Sequence, residues 1–237
     1  MEIIKNDNFL ITKHKQLYTI EFNYPAYEII NSLIKTRIIN GITEDTHKTL
    51  KFKASTIKTL EENQEHLKVK YGKINFKAKD LSLMIRTLSL QLEYLLNYES
   101  HTILGYNPKD IIVIDDEKFA FLGNELVVKL ESEGSEQTII SCPYLNTDFF
   151  FSPEMLIIKE LPSFIHYKTS YFSLGCLFIY VLTGNDDFYK EYLGDLNQWQ
   201  KKLLEPLNDH PIKDTKLYWI ICRCLKDEPT ERSLIFI

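Results

Sequence analysis

Asp110, Asp115, Asp116 and Glu125 place four carboxylates within sixteen residues of a 237-residue chain. Carboxylates hold a divalent cation when they converge from specific positions; strung along turns, they accept backbone N–H groups instead. The second reading suits this spacing, with Asp110 capping its loop and Asp115 and Asp116 in a hairpin turn. His101 stands just ahead of them, and a lone histidine after a helix more often serves packing than proton transfer. Of the four cysteines, Cys142, Cys176, Cys222 and Cys224, only the last two are close, at a spacing wrong for a zinc knuckle; all four are expected to be reduced core thiols. The first glycine is Gly41, so the opening strands carry no glycine-rich phosphate cradle.

The elements that must position these groups begin with alternating apolar and polar residues from 8 to 24, which predict two strands joined near Lys13 to Gln16. Pro25 opens a helix with Ile29, Ile30, Leu33 and Ile34 on one face, ending around Asn40 and Gly41. Residues 49 to 54 read as a strand, 55 to 66 as a short polar helix, and 67 to 77 as strand, turn at Gly72, strand. Asp80 is the expected N-cap of a long helix with Leu81, Ile85, Leu88, Leu92 and Leu95 on one face. Strands follow at 110 to 115 and 118 to 122, then two extended pieces around the turn at Glu133 to Glu136, and from Phe149 on the chain reads as helical. The run from Tyr171 to Leu182 is apolar or small on nearly every face and is stopped by Gly184. Lacking a polar face, and too short to cross a bilayer, it is expected to be a helix buried on all sides.

The bulk composition suits an ordered globular chain. The formal charge of −5 comes with lysines interleaved among acidic residues, which argues against a nucleic-acid surface. No apolar leader and no run of membrane-spanning length stands out, so an intracellular, cytoplasmic protein without a membrane partner is expected.

Four strings in order carry a family resemblance. Asn107-Pro108-Lys109-Asp110-Ile111-Ile112 resembles the Lys-Pro-Glu-Asn-Ile-Leu that follows a kinase catalytic aspartate. Phe151-Ser152-Pro153-Glu154 resembles the Ala-Pro-Glu closing a kinase activation segment. Tyr171-Phe172-Ser173-Leu174-Gly175 resembles Val-Trp-Ser-Leu-Gly on the buried central helix, and Cys224 to Arg232 resembles Cys-Leu-x-x-Asp-Pro-x-x-Arg. The chain therefore resembles the eukaryotic-type protein kinases over its last 155 or so residues, and more loosely before them; in style it is similar to kinase-like proteins of large DNA viruses. The resemblance implies an α+β, two-lobed fold, with a small strand-rich N-lobe at residues 1–79 and a large helical C-lobe at 80–237.

The same resemblance implies lost chemistry. Phosphoryl transfer in this family needs a base, metal ligands and a lysine on the phosphates. With Asp110 at the metal-binding asparagine, Gly105 falls at the catalytic aspartate, Asn107 at the catalytic-loop lysine, and Gly123 at the metal-binding aspartate. Lys53, with Glu61 or Glu65, is the candidate for a cofactor-binding pair, although solvated charges are the plainer reading. The implied structural positions are kept: Glu154 and Arg232 as a buried ion pair, Gly175 on the central helix, and Ser170 as N-cap in place of an aspartate. The acidic, aromatic stretch from Asn185 to Leu193 reads as a connection with Phe188 and Tyr192 packed down. The expectation is a catalytically inactive pseudokinase that binds a protein partner and needs no cofactor. The alternatives are a divergent active Ser/Thr kinase using ATP with magnesium at Asp110, and a structural component of a viral particle.

Overall fold

In the computed structural model, residues 1–43, 47–71, 77–144, 149–184, 186–194 and 199–234 are described. Alternation along residues 9–22 forms a hairpin of β2 (Phe9–His14) and β3 (Leu17–Phe22), after a first strand β1 (Glu2–Lys5) that the sequence reading had not resolved. Phe9 faces Phe22 and Ile11 faces Ile20 across the pair, all four buried. Helix α1 (Tyr27–Lys35) follows Pro25, with Ile29, Ile30 and Leu33 inward. It stops five residues earlier than the apolar pattern suggests, because Arg37 takes a left-handed backbone (φ 59°) and turns buried Ile38 and Ile39 into the core outside the helix. The strands β4 (Gly41–Thr43) and β5 (Thr49–Lys53) complete a five-stranded antiparallel sheet of order β1-β2-β3-β5-β4. Gly41 is thus a strand residue; a Cβ there would meet the Lys51 carbonyl at 2.7 Å.

Residues 57–71 differ most from the sequence reading. A short strand β6 (Ile57–Thr59) precedes α2 (Leu60–Tyr71), which continues helically where a strand is expected from residue 67. The lysine and tyrosine alternation there fits either period, and a helix already begun at Leu60 is extended at less entropic cost than a new strand is started. The expected turn at Gly72 lies outside the described residues.

The long helix α3 (Ala78–Tyr98) starts two residues before Asp80, with Lys77 at the N-cap. Asp80 is therefore its third helical residue, and its carboxylate accepts the Lys77 N–H at 3.2 Å. Leu81, Met84, Ile85, Leu88, Leu92 and Leu95 form the buried face. After β7 (His101–Ile103) and a 3-10 turn at Pro108–Asp110, β8 (Ile111–Ile114) and β9 (Lys118–Phe121) form a hairpin, and β6 adds to β8. Two buried polar residues of α3 close the open edge of β9. Thr87 accepts the Phe119 N–H at 3.2 Å; Gln91 accepts the Phe121 N–H and donates to the Phe121 carbonyl.

Strand β10 (Val127–Lys129) pairs with β7, and β11 (Gln137–Ile140) pairs with β12 (Ser163–His166). Strand β12 interrupts a region expected to be helical; four residues after a proline give too little pattern to see. The remaining helices are α4 (Pro153–Leu156), α5 (Thr169–Thr183), α6 (Asp187–Gly194), α7 (Trp199–Leu204) and α8 (Lys216–Cys224). α5 is buried from Phe172 to Ile179 and ends at Gly184 with φ 78°. At Gly175 a Cβ would lie 3.0 Å from Cys224 Cβ and Leu225, so the missing side chain is what lets α8 approach. Phe188, Tyr189 and Tyr192 of α6 pack inward.

The molecule is therefore mixed α+β, with a strand-rich N-terminal region and a helical C-terminal region. One apolar cluster runs from Ile4 through α1, α3, β8 and β9 to α5 and α8; a smaller one gathers Leu104, Leu126, Phe149, Phe151 and Ile165. Of the cysteines, Cys176 and Cys224 are buried and Cys222 half-buried, but Cys142 is exposed rather than in the core, because it lies just past the end of β11. All four are free thiols. No helix among the described residues is long and apolar enough to cross a membrane.

Candidate functional site

Asp110 ends the 3-10 turn that leads into β8, and its side chain is only 2% exposed. Its donors come from the first hairpin of the chain. Asn8 Nδ2 donates to Asp110 Oδ1 at 2.9 Å, and Asn6 Nδ2 donates to the same oxygen at 3.1 Å and to the Lys109 carbonyl at 3.1 Å. Asn6 Oδ1 in turn accepts the N–H groups of Asn8 and Phe9, which sets the turn. The expected capping of backbone N–H groups by Asp110 is thus replaced by a grip from two side-chain amides more than a hundred residues away. Among the described residues Asp110 Oδ2 has no hydrogen-bond partner, and it points to Gly123, where a Cβ would lie 2.7 Å from it. Desolvation pushes the carboxyl up to about 6, aided by the charges of Glu125 and Asp7 and opposed by the two amides.

Neither glycine position has room for a functional side chain. A Cβ on Gly105 would stand 3.0 Å from the Phe151 ring and 3.2 Å from Leu126. Phe151 is pinned there by Tyr189, whose hydroxyl accepts the Phe151 N–H at 2.6 Å and donates to its carbonyl at 3.0 Å. Asn107 accepts the Lys109 N–H at 3.0 Å as the cap of the 3-10 turn, so its amide is spent on the backbone. Ser173, one turn into α5, accepts the Tyr106 N–H at 2.7 Å and holds the loop. Ser170 does not cap the helix: Lys168 occupies the N-cap, and the Ser170 hydroxyl donates back to the Tyr167 carbonyl at 2.8 Å. The helix starts two residues earlier than the serine would suggest.

The other acidic residues lie elsewhere. Asp115 and Asp116 form the β8–β9 turn, both with positive φ; Asp115 Oδ1 accepts the N–H groups of Ser55 and Thr56, and Asp116 pairs with Lys58 at 3.0 Å. The four-residue strand β8 separates them from Asp110, so that Asp115 stands five residue steps on, roughly 16 Å at strand rise. Glu125 is exposed and acts on Asp110 only through its charge. Lys53 is exposed on β5, opposite Leu17, and among the described residues forms no ion pair with Glu61 or Glu65, whose charges act on Tyr180 instead. His101 Nε2 stands 3.9 Å from Glu28, and its Nδ1 lies against the Glu99 carbonyl.

Arg232 and Glu154 meet as a bidentate pair. Both guanidinium nitrogens reach the carboxylate, Nη2 at 2.9 Å from Oε2. Arg232 is fully buried, and its remaining donors go to the carbonyls of Lys226, Asp227 and Lys168, with its plane over the Phe172 ring.

Magnesium needs several oxygen ligands in near-octahedral order. Asp110 offers one free oxygen facing a glycine, and no group of three His, Cys, Asp or Glu converges among the described residues. The donor set does not fit the ion. Asn6, Asn8, Leu126, Phe151, Ser173 and Tyr189 all shape this site, and sequence reasoning missed them. The only sequence signal was the doubled asparagine at 6 and 8, a turn mark with no hint of its distant acceptor. The chain matches no protein-family model and no curated protein.

Proposed function

We propose that this chain is a kinase-like protein without phosphotransfer chemistry, a pseudokinase whose packed helical region serves as a platform for a protein partner. The observation that carries the reading is Phe151 and Leu126 closed over Gly105. At the position the resemblance assigns to the catalytic base, there is neither a side chain nor space for one. The amides of Asn6 and Asn8 add to this, because they use Asp110 as an anchor for the first hairpin turn. A kinase carries its phosphate lysine on the third strand and covers the phosphates with a glycine-rich loop. Here the third strand is Leu-Tyr-Thr-Ile-Glu-Phe and the first turn is Asn-Asp-Asn. The resemblance itself is supported by the Glu154–Arg232 pair, the buried α5, and the hairpin between Asp110 and Gly123.

The test uses purified full-length protein with labelled ATP and magnesium, alongside thermal unfolding with and without nucleotide. The expected result is no transfer and no rise in Tm. Transfer that disappears in Asp110→Ala, together with a metal-dependent rise in Tm, would instead establish the active kinase. That second reading has one observation in its favour, the unpartnered Asp110 Oδ2.

A further inference from the structure

The Tyr167 N–H donates to the Glu136 carbonyl at 2.9 Å, and the Glu131 N–H donates to the Gln137 carbonyl at 2.9 Å. These two bonds fix which way the β11–β12 pair turns its backbone, because successive residues of a strand aim their N–H and C=O groups to opposite sides. Gln137 and Ile139 face the segment after β10, Thr138 and Ile140 face β12, and by the register Ser163 and Ile165 face β11. The N–H and C=O groups of Phe164 and His166 therefore point to the open side of β12. Among the described residues none of these four groups has a hydrogen-bond partner, and β11 is the only element packed along the strand at length. Buried backbone groups are almost always paired, so these four are open to solvent.

The outer face of the same pair is apolar. Ile139 and Phe164 stand opposite each other and are 41% and 54% exposed, whereas Ile140 and Ile165 turn into the core. The strand itself, Ser-Phe-Ile-His, has no acidic residue, lysine or arginine, and burial holds the His166 imidazole below its usual pKa. Strand edges are ordinarily guarded by charge or by cover. β1 and β6, also at sheet edges, carry Glu2, Lys5 and Lys58, and Thr87 and Gln91 close the edge of β9.

We propose that β12 pairs with β12 of a second copy of this chain, joining two β11–β12 pairs into one four-stranded antiparallel sheet. A two-fold axis at Ile165 sets Phe164 opposite His166 of the other copy, and two N–H and two C=O groups from each copy then close four hydrogen bonds. The two Phe164 side chains become diagonal neighbours on the outer face, within reach of each other as aromatic rings, and extend the apolar strip that begins at Ile139. A copy suits this edge better than an unlike strand because the edge is its own complement: donors meet acceptors, apolar meets apolar, and no charge on the strand meets its like. The pairing stands apart from Asp110 and does not depend on the kinase reading.

Sedimentation equilibrium of the full chain, from about 5 to about 500 µM, tests the pairing; a reversible dimer with Kd on the order of 10–100 µM is expected, since the interface is small. At the dimeric end, exchange of the Phe164 and His166 amides, followed by NMR, slows about threefold or more, while the Ile165 amide, which faces β11, does not change. Phe164→Lys opposes two charges across the axis at an exposed position and keeps its Tm; Phe164→Pro removes one outward N–H without touching the bonds to β11. Each weakens dimerisation about tenfold or more. Ile42→Lys, at a more exposed apolar residue on the edge strand β4 of the other sheet, leaves it unchanged. A monomer at every concentration overturns the proposal and leaves the edge to a strand from another protein. Dimerisation that survives both Phe164 variants, that is lost in Ile42→Lys instead, or that leaves the Phe164 and His166 amides exchanging as before overturns it as well.

Discussion

Asp110 is buried as an acid that resists ionisation, and this has a consequence for stability. Its carboxyl is pushed up to about 6 from an ordinary 3.8. Between those values the folded chain keeps a proton that the unfolded chain has released, so stability falls as pH rises from about 4 to about 6 and is flat above. The effect amounts to about 3 kcal/mol at most. Asp110→Asn removes it: the variant gains relative to the parent by up to that amount between pH 4 and pH 7, as measured by denaturant unfolding at the two values. A difference independent of pH would mean that Asp110 is not desolvated. Glu154→Ala leaves the fully buried Arg232 without its carboxylate, and a loss of about 3–5 kcal/mol is expected in urea unfolding. Gly105, Asn107, Asp110 and Gly123 could all be marked from the family resemblance in the sequence. Their partners could not, because Phe151, Tyr189 and the two asparagines reach them only through folding.

At the level of elements, the β1–β2 turn acts as a clasp on the turn before β8. Removing both amides in Asn6→Ala/Asn8→Ala takes two donors from a buried carboxylate and raises its pKa further. Destabilisation of about 2 kcal/mol or more is expected at pH 7, and clearly less at pH 4, where the protonated acid needs the donors less. Equal losses at both values would show that the amides serve only their own turn. Gly175→Ala forces a methyl against Cys224 and Leu225 and is expected to lower stability by about 1–3 kcal/mol, read as a fall in Tm. Strong periodicity made β2, β3 and α3 legible, and an apolar run without a polar face did the same for α5. β1, β6 and β12 were not, since strands of three or four residues are defined by the neighbour that pairs with them.

Over the whole molecule, the strand-rich and helical regions share one apolar cluster, and β6 from the first region is hydrogen-bonded to β8 in the second. Thermal unfolding followed by far-UV circular dichroism and by tryptophan fluorescence should therefore give coincident single transitions; two separated midpoints would show regions that melt independently. From its sequence alone, the chain determined the type and order of its long elements, the burial of α5, and the absence of side chains at Gly105 and Gly123, because periodicity, an unbroken apolar run and residue identity are local properties. The tertiary structure decided what fills those places and how Asp110 is held. A phenyl ring and two amides from remote parts of the chain meet there only once the core has closed, and close packing leaves no second arrangement for them.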